Sequence, residues 1–178
     1  MKKLCIIPAR GGSKRIPRKN IKKFLGKHVI GYSIELALDS NLFDEIIVST
    51  DDVEIAEISK EYGAKVPFLR SNENSDDNAT TFDVLEEVIN YYNVKKVFFK
   101  YICCLYPAAP LIKMEYFKLC YNQILKNKNT SVFPVVKFDY PILKAFSMEN
   151  GNISFLYPEN NTLRTQDIKS YYLSLIHI

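Results

Sequence analysis

The sequence predicts an α/β domain, doubly wound, with a mainly parallel sheet and helices on both faces. Three observations carry that expectation. Short apolar runs alternate with stretches of helical spacing five times along the 178 residues. The apolar runs are continuous rather than alternating, as expected of parallel strands covered on both sides. Asp, Thr, Gly and Pro stand between them, where strands close and helices are capped. With 47% apolar and 13% aromatic residues, the chain can bury a real core, which excludes a disordered protein.

Taken in order, residues 4–8 (LCIIP) read as a buried strand that Pro8 and Gly11-Gly12 turn into a loop. Residues 29–38 have helical spacing, with Ile30, Ile34 and Leu38 along one face. EIIVST (45–50) is a second buried strand. Asp51 and Asp52 then cap a helix over VEIAEISKEY, and Gly63 closes it. KVPFL (65–69) is a third strand, and TTFDVLEEVINYY is an amphipathic helix opening at Thr80 or Thr81. VFFKYICCLY (97–106) reads as a fourth strand, residues 114–126 as a helix, and SVFPVV (131–136) as a fifth strand. Beyond residue 137, turn signals at Glu149-Asn150-Gly151 and Pro158-Glu159-Asn160 predict a β-hairpin excursion. The end, SYYLSLIHI, is apolar and carries no cap.

Cys5, Cys103, Cys104 and Cys120 form no CxxC pair and three lie in apolar runs, so they read as reduced, buried small residues in a cytoplasmic protein. The opening MKKLCIIPAR is too short in its apolar stretch for a signal peptide, and no run approaches the roughly 18 apolar residues of a membrane span. His28 reads as a loop residue, and neither it nor His177 argues for catalysis. The paired aromatics Tyr91-Tyr92 and Phe98-Phe99 read as core.

The chemistry gathers in IPARGGSKRIPRKN (7–20). The net charge is only +4, yet basic residues cluster over 10–27 while 44–87 are rich in Asp and Glu. A local basic cluster in a nearly balanced chain suits a small anion better than a nucleic acid. The loop leaves the carboxyl end of the first strand, where doubly wound sheets bind ligands. It is neither a Walker A loop nor GxGxxG. Gly11 and Gly12 let backbone amides approach an anion, and Arg10, Lys14 and Lys19 supply charge-assisted hydrogen bonds to phosphate. A solvated basic loop is the plain alternative.

IPARGGSKRIPRKNIK closely resembles the signature loop of the sugar cytidylyltransferases, the CMP-sialic acid synthetase family. GKHVIGYSI, IIVSTDD, LRSNENSDDNATT and LYPAAPL follow in the family's order, so the resemblance runs to about Gln166. YICCLYPAAP, FDYPILKAF and RTQD resemble its pseudaminic acid branch. Relatives acting on N-acetylneuraminate carry Gln-Pro-Thr-Ser-Pro where this chain has Tyr106-Pro107-Ala108-Ala109-Pro110.

The resemblance implies a Rossmann-like nucleotidyltransferase fold and a reaction of CTP with an acidic nine-carbon sugar, giving the CMP-sugar and pyrophosphate. Arg10, Lys14 and Lys19 are then the catalytic cations. Pro8, Ala9, Gly11, Gly12, Ser13, Asn20, Arg70, Asp77, Ala79 and Thr80 complete the nucleotide site. Tyr106, Lys144, Arg164 and Gln166 are the sugar-site candidates, Arg164 foremost because its fork suits a carboxylate. Plain readings stand beside several of these: Asn20 as a turn residue, Arg70 as a surface charge, Thr80 as a helix cap, Asp51 and Asp52 as caps rather than metal ligands.

The family normally continues past RTQD with a strand, a helix and an acidic motif that holds Mg²⁺. The residues here supply no such motif. The expectation is therefore one domain over 1–178, C-terminally incomplete, with no metal ligands of its own and Mg²⁺ arriving with CTP. Residues 138–160 are expected to form a homodimer contact, and neither a membrane nor a nucleic acid is an expected partner. An N-acetylneuraminate enzyme and a catalytically impaired CTP-binding fragment are the rival readings.

Overall fold

The computed structural model describes residues 2–126 and 131–174, so the last four residues, His177 among them, lie outside the described residues. The chain falls into two compact units, Met1–Lys118 and Leu119–Ile178. In chain order the first carries β1 (Lys3–Pro8), a small ribbon of β2 (Lys23–Phe24) and β3 (Lys27–His28), α1 (Val29–Ser40), β4 (Glu45–Ser49), α2 (Val53–Glu61), α3 (Thr81–Val94) and β5 (Tyr101–Cys104). α4 (Met114–Lys126) begins in the first unit and ends in the second, which adds β6 (Val135–Lys137), β7 (Phe146–Glu149), β8 (Asn152–Phe155) and β9 (Tyr172–Ser174).

The first unit is built on a three-stranded parallel sheet in the order β4-β1-β5. β1 runs down its middle, Leu4 to Pro8 opposite Glu45 to Ser49 on one side, Lys3 to Ile6 opposite Tyr101 to Cys104 on the other. Because strand side chains alternate, the continuous apolar run of β1 feeds both faces. Cys5 and Ile7, with Ile46 and Val48, pack under Ile30, Ile34 and Ala37 of α1 and Ile55 of α2. Leu4 and Ile6, with Ile47, pack against Val88 and Tyr92 of α3. Leu4, Cys5, Ile6 and Ile7 are all completely buried. Helices therefore cover both faces, as the sequence predicts.

Local signals set the helix ends. Asp52 caps α2 by accepting the amide of Ile55, and Gly63, with positive φ, donates back to the carbonyl of Lys60. Thr80 and Asp83 form a reciprocal capping box at α3. His28 precedes α1, half-buried at the end of β3, its amide on the Tyr62 hydroxyl at 3.3 Å. The helix expected over 114–126 is present with those bounds.

Three strand expectations change. The segment 65–69 forms only a single bridge, Lys65 to Ile47, in place of a strand. Pro67 lacks the N–H that a ladder requires, which limits pairing to the residues before it. The run 97–106 becomes strand only from Tyr101, and Ile102 stays 39% exposed. The run 131–136 contributes β6, which does not join the parallel sheet. It pairs antiparallel with β9 in the second unit, Val135 to Lys137 against Ser174 to Tyr172. Leu38, placed on the buried face of α1, is 38% exposed, and Ala37 and Ser33 take the inner positions.

The excursion is a hairpin, as expected: β7 pairs with β8 around Asn150 and Gly151, whose φ angles of 51° and 82° suit a tight primed turn that Gly and Asn enter readily. No disulfide joins Cys5, Cys103, Cys104 and Cys120 among the described residues. Cys5 lies beside Cys103 in the sheet register, and burial pushes the Cys104 thiol up to about 12, which keeps that thiol protonated at neutral pH. Among the described residues no helix is long and apolar enough to cross a membrane.

Ile34 is fully buried between α1 and the sheet, so Ile34→Ala should cost about 3 kcal/mol in urea unfolding, through lost transfer energy plus the cavity left behind. Leu38→Ala, at a half-open position, should cost less than about 1 kcal/mol.

Candidate active site

Three segments meet at the carboxyl edge of the parallel sheet in the first unit: the loop after β1, the Asp51-Asp52 step after β4, and Tyr106 after β5. The loop over 9–20 is tied at several points. The amide of Ala9 donates to the carbonyl of Ser49 at 2.9 Å. The amide of Gly11 donates to Asp51 Oδ1, also at 2.9 Å. A Cβ on Gly11 would lie 2.6 Å from Asp52 Oδ2, so only glycine passes here without displacing that carboxylate. At the far end, the Arg18 guanidinium pairs with both Asp52 and Glu54. Asn20 closes the loop on itself, Nδ2 donating to the carbonyl of Arg10 at 3.0 Å.

Two of the three cations expected to meet phosphate have partners of their own. Arg10 Nη1 lies 3.0 Å from Asp77 Oδ1 and also donates to the carbonyl of Asp76. Lys14 pairs with the other oxygen of Asp77. Lys19 is half-buried in a 3₁₀ turn over Lys19–Ile21, and no ion pair engages it among the described residues. Of the three loop amides, Gly11 serves Asp51 and Ser13 serves the carbonyl of Gly11 at 2.9 Å. Gly12 is exposed. Pro8 ends β1 opposite Ser49, and Ala9 behind it is fully buried.

The facing segment, 76–81, is organised by its own polar groups. Asp76 accepts the amides of Asn78 and Ala79, which hold its carboxyl below the usual range. The Lys14 ammonium does the same for Asp77. Thr80 caps α3, and its hydroxyl and amide depress Asp83. Arg70 is not on the surface. It is 7% exposed, with Nε and Nη2 on the hydroxyl and carbonyl of Ser49 and Nη1 on the carbonyl of Asn74. Burial lowers its pKa, with Asp51 and Glu87 opposing that shift. Its three contacts stitch the 70–74 segment to the end of β4.

Tyr106 is held at both ends. Its carbonyl accepts the buried Ser33 hydroxyl at 2.9 Å, and its phenol shares a 2.9 Å hydrogen bond with Thr81 at the start of α3. The other sugar-site candidates belong to the second unit. Lys144 lies half-buried in a 3₁₀ turn over Ile142–Lys144. The exposed Arg164 forks onto Asp167, with contacts of 2.7 and 3.2 Å, and Gln166 sits exposed in the turn between them.

Sequence reasoning passed over Arg18 and the loop contact of Asp51. Both lie in segments that drew attention, but charge alone could not tell which cation faces a carboxylate. The same contacts decide the metal question. Asp51 is committed to the Gly11 amide, and Asp52 to Arg18 and the Ile55 amide. No group of three His, Cys, Asp or Glu residues stands ready for a metal among the described residues. These side chains do not fit a resident Mg²⁺.

A glycine-bearing basic loop at the carboxyl edge of a parallel sheet, with helices on both faces, defines a nucleotide-binding α/β domain. A sequence model of the cytidylyltransferases matches residues 4–162, and the chain belongs to that family. The pseudaminic acid cytidylyltransferase of Campylobacter jejuni subsp. jejuni serotype O:2 is 44% identical over 173 residues, 97% of this chain and 75% of that protein. The CMP-N,N'-diacetyllegionaminic acid synthase of Legionella pneumophila is 39% identical over 115 residues, 65% of this chain and 50% of that one. Among solved structures, a CMP:2-keto-3-deoxy-manno-octonic acid synthetase complexed with CTP aligns at a TM-score of 0.69 and 21% identity. The match covers 98% of this chain and 72% of the other, and shows the shared fold.

The capping box gives a test at α3. Thr80→Ala should lower unfolding stability by about 1 kcal/mol, and Thr80→Ser should retain it. Asp83 has a folded pKa below its unfolded value near 4, so its share of the box is complete above that pH and fades as pH falls through the lower folded value. Urea titrations of wild type and Thr80→Ala should therefore converge as pH is lowered from about 5 towards 2.

Proposed function

We propose that this chain activates a nonulosonic acid, converting CTP and pseudaminic acid to CMP-pseudaminic acid and pyrophosphate. The observation that carries it is the Arg10, Lys14 and Lys19 loop at the sheet's carboxyl edge, in a chain 44% identical over nearly its whole length to a pseudaminic acid cytidylyltransferase. The anomeric hydroxyl of the sugar acid attacks the α-phosphorus of CTP. The bond from that phosphorus to the bridging oxygen breaks, and pyrophosphate and a proton leave.

Little covalent work falls to the protein in such a transfer, so positioning and charge stabilisation dominate. Arg10 and Lys14 exchange Asp77 for phosphate oxygens, while Lys19 and the Gly12 amide add donors. CTP enters as its Mg²⁺ complex, the metal arriving with the substrate. Asn20 and the 77–80 segment, with Ala79 and Thr80, face the nucleoside. Arg70 fixes the strand edge behind it. Tyr106, Lys144, Arg164 and Gln166 serve the sugar acid, and Arg164 must leave Asp167 to meet the carboxylate.

Further parts of the reading rest on physical argument. The nearly balanced net charge of +4, with acidic residues facing the basic loop, disfavours a nucleic acid as partner. The hairpin of β7 and β8 exposes Phe146, Met148 and Ile153, an apolar face suited to pairing with a second copy. We place the protein in the cytoplasm, with its nucleotide supply.

The test is pyrophosphate release from Mg²⁺-CTP with pseudaminic acid, run beside N-acetylneuraminic acid. Release should follow pseudaminic acid, and Lys19→Ala should lower kcat/KM by about 100-fold, near 3 kcal/mol of transition-state stabilisation. Preference for N-acetylneuraminic acid would reassign the sugar. Saturable CTP binding without release from either would leave a nucleotide-binding fragment.

A further inference from the structure

We propose that Asp52, acting through Arg18, is a positioning residue that holds the phosphate-binding loop in its CTP-competent shape. The inference rests on the nucleotide reading above and deepens it. Asp52 is itself immobilised: Oδ1 accepts the Ile55 amide at 3.0 Å as the cap of α2, and the Asp52 amide donates to Thr50 Oγ1 at 3.1 Å. From this fixed point its two oxygens take both terminal nitrogens of Arg18, Nη2 at 3.1 Å from Oδ1 and Nη1 on Oδ2. A fork-to-fork pair constrains direction as well as distance.

The same carboxylate lies against Gly11, at the other limb of the loop. Asp52 thus touches both limbs, and its neighbour Asp51 holds the Gly11 amide. Arg18 adopts φ 54° and ψ 32°, the left-handed region that a non-glycine residue enters at a cost. Such a conformation persists where its surroundings over-determine it, and here the pairs to Asp52 and Glu54 do so. Lys19 and Asn20 follow directly, so the conformation of Arg18 sets where both are presented. Arg18, matched by two carboxylates, differs in kind from Lys19, which no described side chain pairs.

A loop freed at Arg18 would have to be ordered by CTP itself, and that ordering is subtracted from affinity. Asp52→Asn keeps a capping oxygen for Ile55 and removes the charge. Asp52→Asn and Arg18→Gln should each weaken Mg²⁺-CTP binding about tenfold by calorimetry, with the double variant no worse than either single one. KM for the sugar acid should stay unchanged, and Arg18→Lys should recover only part of the loss, because it restores charge without the fork. Trypsin should cut the nucleotide-free loop after Arg15 faster in both single variants, a readout that needs no ligand.

Wild-type CTP affinity and cleavage rate in both variants would overturn the proposal and leave the nucleotide reading standing. Loss of affinity in Arg18→Gln alone would overturn it too, by making Arg18 a direct ligand. A wild-type protein that does not bind Mg²⁺-CTP would sink the nucleotide reading and this role of Asp52 together.

Discussion

The carboxyl edge of the sheet, where we propose that CTP binds, depends on one constraint: β1 is paired on both sides and buried on both faces. Its residues register with β4 on one flank and β5 on the other, so its end at Pro8 is fixed against Ser49. The chain leaves that fixed point into the basic loop with no slack, and the Ala9 amide still reaches β4. A one-residue slip of β1 would exchange Cys5 and Ile7 for Leu4 and Ile6 under α1, and every packed contact of both cores would change. The position of Arg10 and Gly11 is therefore inherited from apolar packing some residues upstream.

That rigid frame supports a loop whose charges are partly offset. Read as a string, residues 10–20 are strongly basic. Folded, Arg10 and Lys14 share Asp77, and Arg18 shares Asp52 and Glu54. The two groups differ in exposure. Lys14 and Asp77 are largely solvated, and pairs of that kind contribute little and exchange readily. Asp52 is more enclosed, with a side chain 20% exposed, and is fixed further by its capping bond. On the proposed reading, binding a triphosphate is an exchange of anions at the outer pairs, while the inner pair keeps the loop in place. The cost of assembling several cations at one spot is met by the protein's own carboxylates.

How much of this was legible in the sequence follows from how local each cause is. β1, β4 and the four helices could be read because their apolar spacing and caps lie within a few residues of one another. The Asp52 and Thr80 caps and the Asn150-Gly151 turn belong to the same class. What could not be read was pairing at a distance. Pro67 shows that 65–69 is a poor strand only when the missing N–H is weighed against its apolar run. β6 looked like a sheet strand, and only the fold shows its partner to be β9. At the loop, composition marked the cations but not their partners, because Asp52, Glu54 and Asp77 lie at least 34 residues further along. The burial of Arg70, named in the sequence as a nucleotide-site candidate, could not be read for the same reason: it depends on Ser49 and Asn74, which no spacing rule joins to it.

Asn20 links the polar interior to the proposed function. It is 3% exposed, and one half of its amide group is satisfied by the carbonyl of Arg10. Its Oδ1 is buried with no hydrogen-bond partner. A turn residue does not require that arrangement, because an Asn that only closes a turn is normally satisfied by nearby backbone. A bare buried acceptor costs about 1–3 kcal/mol, so it marks a place where a donor is expected. Its location, at the end of the basic loop and bonded to the residue that pairs with Asp77, is where a nucleotide's hydroxyl or amino donors would lie if its phosphates replaced that carboxylate. The unsatisfied oxygen and the exchangeable Arg10 and Lys14 pairs are then two parts of one preparation. Each is costly or weak as the chain stands, and on the proposed reading each would improve with the same ligand.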